Sequence, residues 1–390
     1  MTISLARFKT FLIFALNFCL LSACAPARTA PLLLLAQAPA QAAAADPASG
    51  FAVADGSRLL TFPPDFGAHP DFRAEWWYYT GNLQTSDGRN FGFELTIFRV
   101  SLLPPAVELP TDSKWYSHSL YFAHFAVSDI ADSHFYAFER YSRPGPGLSG
   151  AEADPYHVWL ENWSVSANAP KSYHLQAQQE GVALDLVLTD QMGVVLQGEK
   201  GYSRKGEGAA NASYYYSQPR LQVNGTVQVN GVRYQVSGLA WNDHEFSTSA
   251  LDKTQIGWDW FSLQFDDGSA SMLYQLRERA GGISAASSGT WIAADGSSQH
   301  LEKTDFEINI VSNWKSPHSQ AVYPAGWQLK LNTPKCELNI LPWMADQELN
   351  FPALTYWEGA VRFEGTCNGK PVRGNGYIEL TGYSGNVPLP

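Results

Sequence analysis

The sequence is short of the residues and motifs that bind metals. Four cysteines occur in 390 residues, and two of them, Cys19 and Cys24, lie in an apolar N-terminal segment. Neither His-Glu-x-x-His nor Cys-x-x-Cys occurs, and the nine histidines are scattered along the chain. We therefore expect no metal site, and no motif indicates another cofactor.

Positive charge and the loops typical of nucleotide enzymes and serine hydrolases are also lacking. The net charge is −11, and removing Arg7 and Lys9 with an N-terminal signal takes this to about −13. Nucleic acid is therefore not an expected partner, because such binding depends on neutralising phosphates. No glycine-rich phosphate loop and no Gly-x-Ser-x-Gly elbow occurs, so neither of those enzyme classes is indicated.

Helical periodicity is rare, whereas runs that alternate between apolar and polar residues are common, for example 91–98 and 183–188. An aromatic content of 13% and 32 glycines favour strands joined by tight turns. The length suits two domains of ordinary size. We predict an all-β protein of two domains, and the pattern alone does not distinguish barrels from curled sandwiches.

Two segments, one in the middle and one near the end of the chain, resemble each other. Residues 225–238 and 359–374 each predict a strand, a Gly-containing turn and a second strand. Beyond the closing glycine three pairs of residues correspond: Trp241 with Tyr377, Asp243 with Glu379, and His244 with Leu380. The aromatic residue and the acid are kept, but the imidazole occurs in only one copy.

The beginning of each half repeats as well. Residues 76–79 lead through an Asp-Gly turn to Arg99, and residues 258–261 lead through another Asp-Gly turn to Arg277. Each set predicts a hairpin of an aromatic strand and an Arg-ended strand. The spacing is far longer than that of solenoid repeats, so it indicates a duplicated β-domain.

The N-terminus predicts export. Arg7 and Lys9 precede an apolar run, 11–21, that is too short to span a membrane, and Leu-Ser-Ala-Cys ends at Cys24. The pattern resembles a bacterial lipoprotein signal, 1–23, with lipid attached to Cys24; an ordinary cleaved signal with a chance cysteine is the alternative. Residues 24–50, rich in Ala and Pro, predict a flexible tether. We expect a lipid-anchored protein of the cell envelope, facing the periplasm.

Export into an oxidising compartment leaves Cys336 and Cys367 as a candidate disulfide in the second domain. Two separate thiols are the alternative, because a bridge requires neighbouring Cβ atoms and spacing does not establish that.

Several motifs together resemble the lipocalin-like family of bacterial AttH proteins, which includes the carotenoid 1,2-hydratases, also called hydroxyneurosporene synthases. The resemblance runs from about Phe51 to Tyr383. It rests on these segments: Glu75-Trp-Trp-Tyr-Tyr-Thr-Gly-Asn-Leu83, His124-Phe-Ala-Val-Ser-Asp129, Trp241-Asn-Asp-His-Glu245, Gly257-Trp-Asp-Trp260, Tyr356-Trp-Glu-Gly359 and Gly376-Tyr-Ile-Glu-Leu-Thr-Gly-Tyr383.

The resemblance implies two tandem lipocalin-like β-barrel domains, 51–248 and 249–390, with an apolar pocket near their junction. It also implies a lyase that adds water to a double bond of an isoprenoid or other apolar molecule. Some relatives carry the label of secreted hydrolase, which the missing nucleophile elbow does not support. A carrier that binds such a ligand without chemistry is the alternative.

Hydration of an isolated alkene requires an acid, aromatic faces for the cation and a placed water molecule. If residues 241–246 form a strand, His244 lies on one face and Asp243 and Glu245 on the other. We expect His244 to face the pocket as a catalytic residue, with acidity from Glu75 or Asp259. The expected substrate-binding residues are aromatic: Trp241, Phe246, Trp258, Trp260 and Tyr274.

A structural role competes with this interpretation. Asp243 and Glu245 are expected to serve the scaffold, and His244 with them could merely hold the two domains together, because buried polar groups are usually paired. Glu358 and Glu379 are expected to pair with arginines of the second domain such as Arg362 or Arg373.

Overall fold

The computed structural model describes residues 50–208, 210–249 and 251–385. The predicted signal and Cys24 lie outside these residues, and so does the predicted tether apart from Gly50. Strands dominate the described chain, and two short 3-10 helices occur, Pro64–Phe66 and Lys303–Asp305. None of the described helices is long and apolar enough to cross a membrane.

The first sheet contains the strands of the N-terminal half and follows the order β4-β3-β2-β1-β13-β12-β9-β8-β7-β6-β5, with β10 and β11 also paired to β12. The strands are β1 (Ala74–Gln84), β2 (Asn90–Ser101), β3 (Ser119–Asp129), β4 (His134–Ser142), β5 (Ser149–Ala153), β6 (Tyr156–Leu160), β7 (Trp163–Ala169), β8 (Ser172–Gln179), β9 (Val182–Asp190), β10 (Val195–Leu196), β11 (Tyr202–Arg204), β12 (Ala212–Val229) and β13 (Val232–Ser247).

The second sheet follows the order β17-β16-β15-β14-β23-β22-β20-β19-β18, with β21 also paired to β22. Its strands are β14 (Gln255–Phe265), β15 (Ala270–Glu278), β16 (Ser288–Ile292), β17 (Ser298–Glu302), β18 (Phe306–Lys315), β19 (Val322–Leu331), β20 (Cys336–Pro342), β21 (Glu348–Asn350), β22 (Thr355–Cys367) and β23 (Lys370–Leu380).

The first sheet curls into a nearly closed barrel and the second into a half-barrel, which confirms the predicted all-β fold of two lipocalin-like units. The strand order β4-β3-β2-β1-β13-β12 recurs in the second sheet as β17-β16-β15-β14-β23-β22. The hairpins that repeat in the sequence therefore occupy equivalent places in the two sheets.

Each sheet has its own apolar core, because side chains alternate between the two faces of a strand. Trp77, Phe93 and Leu186 belong to the first core, and Phe261, Trp327 and Phe363 to the second. A third apolar cluster lies between the sheets and includes Tyr78 and Trp260. The long strands near the junction are therefore buried on both faces.

Hydrogen bonds join the two sheets into one compact body. Asn82 donates to the carbonyl oxygen of Gly376 at 2.9 Å, and Gln264 donates to that of Ala240 at 2.9 Å. The chain passes from the first sheet to the second between Ser247 and Gln255. Neighbouring side chains of the two sheets can therefore form one site.

Cys336 and Cys367 face each other across β20 and β22, with Cα atoms 4.1 Å apart, and form a disulfide. The bridge ties two adjacent strands of the half-barrel.

Candidate active site at the junction of the two sheets

A cavity lies between the sheets. Its volume of about 110 Å³ is room for several water molecules. Alternation along β1 turns Trp76 and Tyr78 toward this cavity and Trp77 into the first core. In the equivalent strand β14, Trp258 and Trp260 face the cavity. Both sheets thus contribute aromatic rings to the same space.

The wall combines these aromatic residues with apolar and ionisable ones. Apolar side chains from several strands complete the wall, including Phe98, Phe122, Leu276 and Leu354. The ionisable side chains include Lys205, Asp243, Glu245, Glu358 and Glu379. Acids in such a setting are costly to ionise, because an apolar wall solvates charge poorly.

Asp243 lies on β13 and faces the cavity. Its carboxyl accepts hydrogen bonds from Trp241 Nε1 at 2.7 Å and from the hydroxyls of Tyr215 and Ser217. Burial raises the pKa of Asp243 to about 7, even though these three donors lower it. The carboxyl therefore exists in both protonation states near neutral pH.

Glu379 occupies the equivalent position on β23, as the repeat predicts. Trp258 Nε1 donates to its Oε2 at 2.9 Å. Burial raises the pKa of Glu379 to about 8, helped by nearby acids that include Asp243. At neutral pH this carboxyl is mostly a neutral acid that can donate a proton.

Glu358, on β22 beside Glu379, is also buried. Burial and the charges of Glu94 and Glu379 raise its pKa well above the ordinary value. The expected pairing of Glu358 and Glu379 with arginines is wrong. Arg373 instead bonds Asp266, and the guanidinium of Arg362 stacks over Trp343.

Glu245 is ion-paired in the cavity wall. Lys205 Nζ lies 3.2 Å from its carboxylate and 3.9 Å from the ring centre of Tyr274. Burial alone would lower the pKa of Lys205, but Glu245 and Tyr274 raise it. The lysine therefore stays charged beside the Glu245 carboxyl.

His244 does not face the cavity, so the expected orientation is wrong. It is fully buried on the other face of β13, where its ring stacks on Trp77 with centres 4.7 Å apart. Its Nε2 bonds Glu75 at 2.8 Å and its Nδ1 bonds the hydroxyl of Tyr216 at 2.9 Å. Burial lowers the pKa of His244, so the imidazole is neutral.

Glu75 cannot act as the expected acid, because it is held as a carboxylate. Arg99 Nε donates to it at 2.8 Å, and His69 Nδ1 lies 2.6 Å away. Burial alone would raise the pKa of Glu75, but Arg99 and His69 hold it well below the ordinary value. A group that stays ionised at neutral pH has no proton to give.

Asp259 lies on the face of β14 away from the cavity, one residue from each of the two tryptophans that line it. Arg277 Nε bonds it at 3.0 Å and Tyr383 donates to it at 3.1 Å. Burial raises the pKa of Asp259 to about 6. Its position, rather than its acidity, contradicts the expected role at the pocket.

The five expected substrate-binding aromatics divide into two groups. Trp258, Trp260 and Tyr274 line the cavity. Trp241 lies behind the wall and orients Asp243, and Phe246 stacks on His69 on the opposite face of β13, with ring centres 3.6 Å apart. The last two positions do not meet a ligand in the cavity.

The only clustered metal-ligand atoms among the described residues belong to His69, Glu75 and His244. These atoms do not fit a cation, because the Arg99 guanidinium already bonds the carboxylate. His69 also bonds Asp65 through Nε2 at 2.9 Å. Burial alone would lower the pKa of His69, but Glu75 and Asp65 raise it. The cluster is a closed polar network with its own cations.

Sequence reasoning missed the acids that face the cavity. One signal for them was present, because Asp243 and Glu379 correspond in the internal repeat while His244 does not. An acid present in both copies indicates the face of each sheet that lines the cavity between them. The arrangement places neutral acids, ionisable carboxyls and aromatic faces around one cavity, which suits proton transfer to an apolar molecule.

The fold and this site define a two-barrel, lipocalin-like protein with an acidic and aromatic cavity at the junction. The chain belongs to the AttH-like family, whose model matches residues 53–383. A crystallised candidate AttH protein from Nitrosomonas europaea is 38% identical to it, with a TM-score of 0.75 over 85% of this chain and 100% of that one.

Kievitone hydratase from Nectria haematococca has the same fold. It is 15% identical, with a TM-score of 0.64 over 85% of this chain and 95% of its own. No curated protein matches the chain.

Proposed function

We propose that the protein is a hydratase-like lyase that adds water to a carbon–carbon double bond of an isoprenoid or similar apolar substrate in the junction cavity. The observation that supports this most directly is a neutral acid, Glu379, in a wall of aromatic rings. Kievitone hydratase, a neighbour in fold, bears the name of a hydratase.

Glu379 is the proton donor in this proposal, in place of Glu75 and Asp259. Its O–H bond breaks as a C–H bond forms on the alkene, and the π electrons leave a carbocation on the other carbon. The donor is suited to this step because a pKa of about 8 keeps it protonated at neutral pH.

The aromatic rings of the wall stabilise the cation. Trp76 and Tyr78 from the first sheet lie in the same wall as Trp258 and Trp260 from the second. Their negatively polarised faces attract a positive carbon, most strongly where water is excluded.

Asp243 completes the reaction as a base. Water adds to the cation, its C–O bond forms, and Asp243 takes the proton that water releases. Three fixed donors orient the carboxylate, and a pKa of about 7 leaves part of the population ionised at neutral pH. The product is an alcohol, and no net proton or electron is consumed.

The test is incubation with a panel of isoprenoid alkenes in oxygen-18-labelled water, followed by mass spectrometry. A labelled alcohol is expected, and Glu379→Gln should slow its formation by about 10²–10⁴-fold. Glu364→Gln on the exposed face of β22 is the matched control and should retain the rate. Unchanged turnover in Glu379→Gln would remove that residue from the mechanism.

A carrier is the second candidate function, and the mostly apolar and aromatic wall favours it. The carrier is supported, and the lyase contradicted, by two results together. A lipid copurifies with the protein, and neither that lipid nor any alkene of the panel gains water on incubation.

We also propose export and lipid attachment at Cys24, on the basis of Leu-Ser-Ala-Cys. Intact mass spectrometry of the membrane fraction should find a chain that begins at a diacylglyceryl-cysteine. Cys24→Ser should abolish both the lipid and membrane association. A membrane-bound Cys24→Ser protein would contradict the anchor.

A further inference from the structure

Two buried glutamates meet where the sheets come together. Glu94 on β2 and Glu358 on β22 are both fully buried, and their carboxyl groups lie close enough to share a hydrogen bond if one of them carries a proton. Thr96 donates to Oε1 of Glu94 at 2.8 Å, and Tyr356 donates to the same oxygen at 3.3 Å. Oε2 of Glu94 and Oε1 of Glu358 are buried without a hydrogen-bond partner among the described residues, and so is the hydroxyl of Tyr78 beside Glu358.

One proton held between these two carboxyl groups would satisfy both of them. Carboxylate oxygens are acceptors only, so two ionised carboxylates repel each other and cannot hydrogen-bond. One shared proton supplies the missing donor and removes one of two buried negative charges. Burial raises the pKa of both Glu94 and Glu358, which agrees with this arrangement.

A chain of hydrogen bonds leads from Glu94 to the outer edge of the first sheet. The hydroxyl of Tyr356 lies 2.7 Å from Nδ1 of His124. Nε2 of His124 lies 3.4 Å from Oε1 of Glu139, whose side chain is 10% exposed. Tyr141 donates to the same carboxylate oxygen at 2.7 Å. The imidazole is otherwise enclosed by aromatic rings: Phe98, Phe122 and Phe351.

We propose that Glu94 and Glu358 hold one proton between them as a store for the junction cavity, and that Tyr356, His124 and Glu139 reload it from solvent. The need for a store rests on the proposed hydration, in which Glu379 gives up a proton at each turnover. The sharing of the proton and the path to solvent are properties of the protein without substrate.

The transfer balances when Asp243 releases to solvent the proton that it took from the added water, so that each turnover takes up one proton through the pair and returns one. After the pair has passed its proton to Glu379, a proton taken up at Glu139 moves to Nε2 of His124 and makes the imidazole a cation. The Nδ1 proton then passes to the oxygen of Tyr356 as the phenol hydrogen passes to Glu94. Imidazole and phenol end neutral, and the pair has regained one proton. The imidazole proton then lies on Nε2, and the ring returns to the Nδ1–H tautomer before the next transfer.

Other ionisable groups face the pair but do not replace the path. The hydroxyls of Tyr78 and Tyr377 and the carboxyl of Glu379 lie nearest to Glu358. All three are buried in or beside the cavity, whereas Glu139 is at the outer sheet edge. The path through His124 therefore links the pair to the outside of the barrel.

Infrared spectroscopy of the substrate-free protein tests the shared proton. At neutral pH the double variant Glu94→Gln/Glu358→Gln should lose the protonated-carboxyl band area of one group. Loss of none or of two would overturn the sharing. The single variant Glu94→Gln offers a second measurement: the proton stays on Glu358, so the band should move without losing area, and a loss of one group's area would contradict the proposal.

Transfer into heavy water tests the path. Tyr356→Phe removes one hydroxyl and should slow deuteration of the pair by at least about tenfold. Tyr156→Phe, which removes a buried hydroxyl that bonds Tyr79 inside the first barrel and away from the path, is the control and should exchange like the unmodified protein. Equal rates in all three proteins would overturn the relay. Because no substrate is present, these results are independent of whether hydration occurs.

Discussion

The two halves of the molecule have an acid at the same strand position, but they differ in the residue that follows it. Asp243 pairs with Tyr78 across β1, and Glu379 pairs with Trp260 across β14. One residue further, His244 lies inside the first barrel, where the second has Leu380. The shared acids face the junction, and the residues that differ face separate cores.

The arginines of the two halves follow the same division. Arg99 lies directly across from Glu75, whereas Arg277 lies across from Gly257 and reaches diagonally to Asp259. The first pair is fully buried within a histidine network, and the second is partly exposed. The two halves thus match at the surface where they meet and differ in their interiors.

Replacing Arg99, the buried arginine of the first half, should have the largest effect on the free energy of unfolding. Arg99→Met leaves Glu75 charged with a weaker set of donors, so we expect a loss of about 3–5 kcal/mol in the free energy of unfolding. Arg277→Met should cost less than half as much, because Asp259, with a pKa of about 6, takes up a proton more readily. Urea titration measures both, and equal losses would contradict the difference between the halves.

Removing the disulfide should have the next largest effect, and this effect belongs to the second half. Replacing Cys336 and Cys367 with serine opens a loop with a sequence separation of 31 and should cost about 3–4 kcal/mol. Hydrogen exchange should quicken in β20 and β22 and stay unchanged in β1 and β13. Uniform quickening across both sheets would mean that the halves unfold as one unit.

Replacing His244 with leucine, the residue at the equivalent position of the second half, should lower the free energy of unfolding by a smaller amount. His244→Leu removes the hydrogen bonds to Glu75 and Tyr216, and we expect a loss of about 1–3 kcal/mol with retained turnover. Thermal melting and the labelled-water assay measure the two properties. Lost turnover at an unchanged melting temperature would return His244 to a catalytic role.

The pH dependence of stability should be the smallest effect. The folded protein holds protons on Asp243 and Glu379 up to pKa values of about 7 and 8, above the ordinary 3.8 and 4.5. Because the unfolded chain releases these protons at lower pH, stability falls as pH rises from about 4.5 to 8. Glu379→Gln should reduce the loss of unfolding free energy over this pH range by about 1–2 kcal/mol. The effect is kept small because Glu379 is partly exposed to the cavity. An unaltered slope in urea titrations across this range would contradict the raised pKa.

Much of the fold could be predicted because its signals are local. Alternation along the strands, the Asp-Gly turns and the repeat at 225–238 and 359–374 indicated two β-domains and their correspondence. Three aromatic residues of the cavity wall, Trp258, Trp260 and Tyr274, were also identified. The acids Glu358 and Glu94 could not be assigned, because their proximity joins strands that are far apart in sequence.

The amino-acid order is enough to establish that His244 lies on one face of its strand and Asp243 and Glu245 on the other, since a strand has a period of two. Which of these faces meets the cavity depends on the tertiary packing. The hydrophobic pattern carries no preference here, because every residue from Ala240 to Ser247 is buried. A strand buried on both sides takes its orientation from the packing of whole sheets, and that packing placed Asp243 at the junction and His244 inside the barrel.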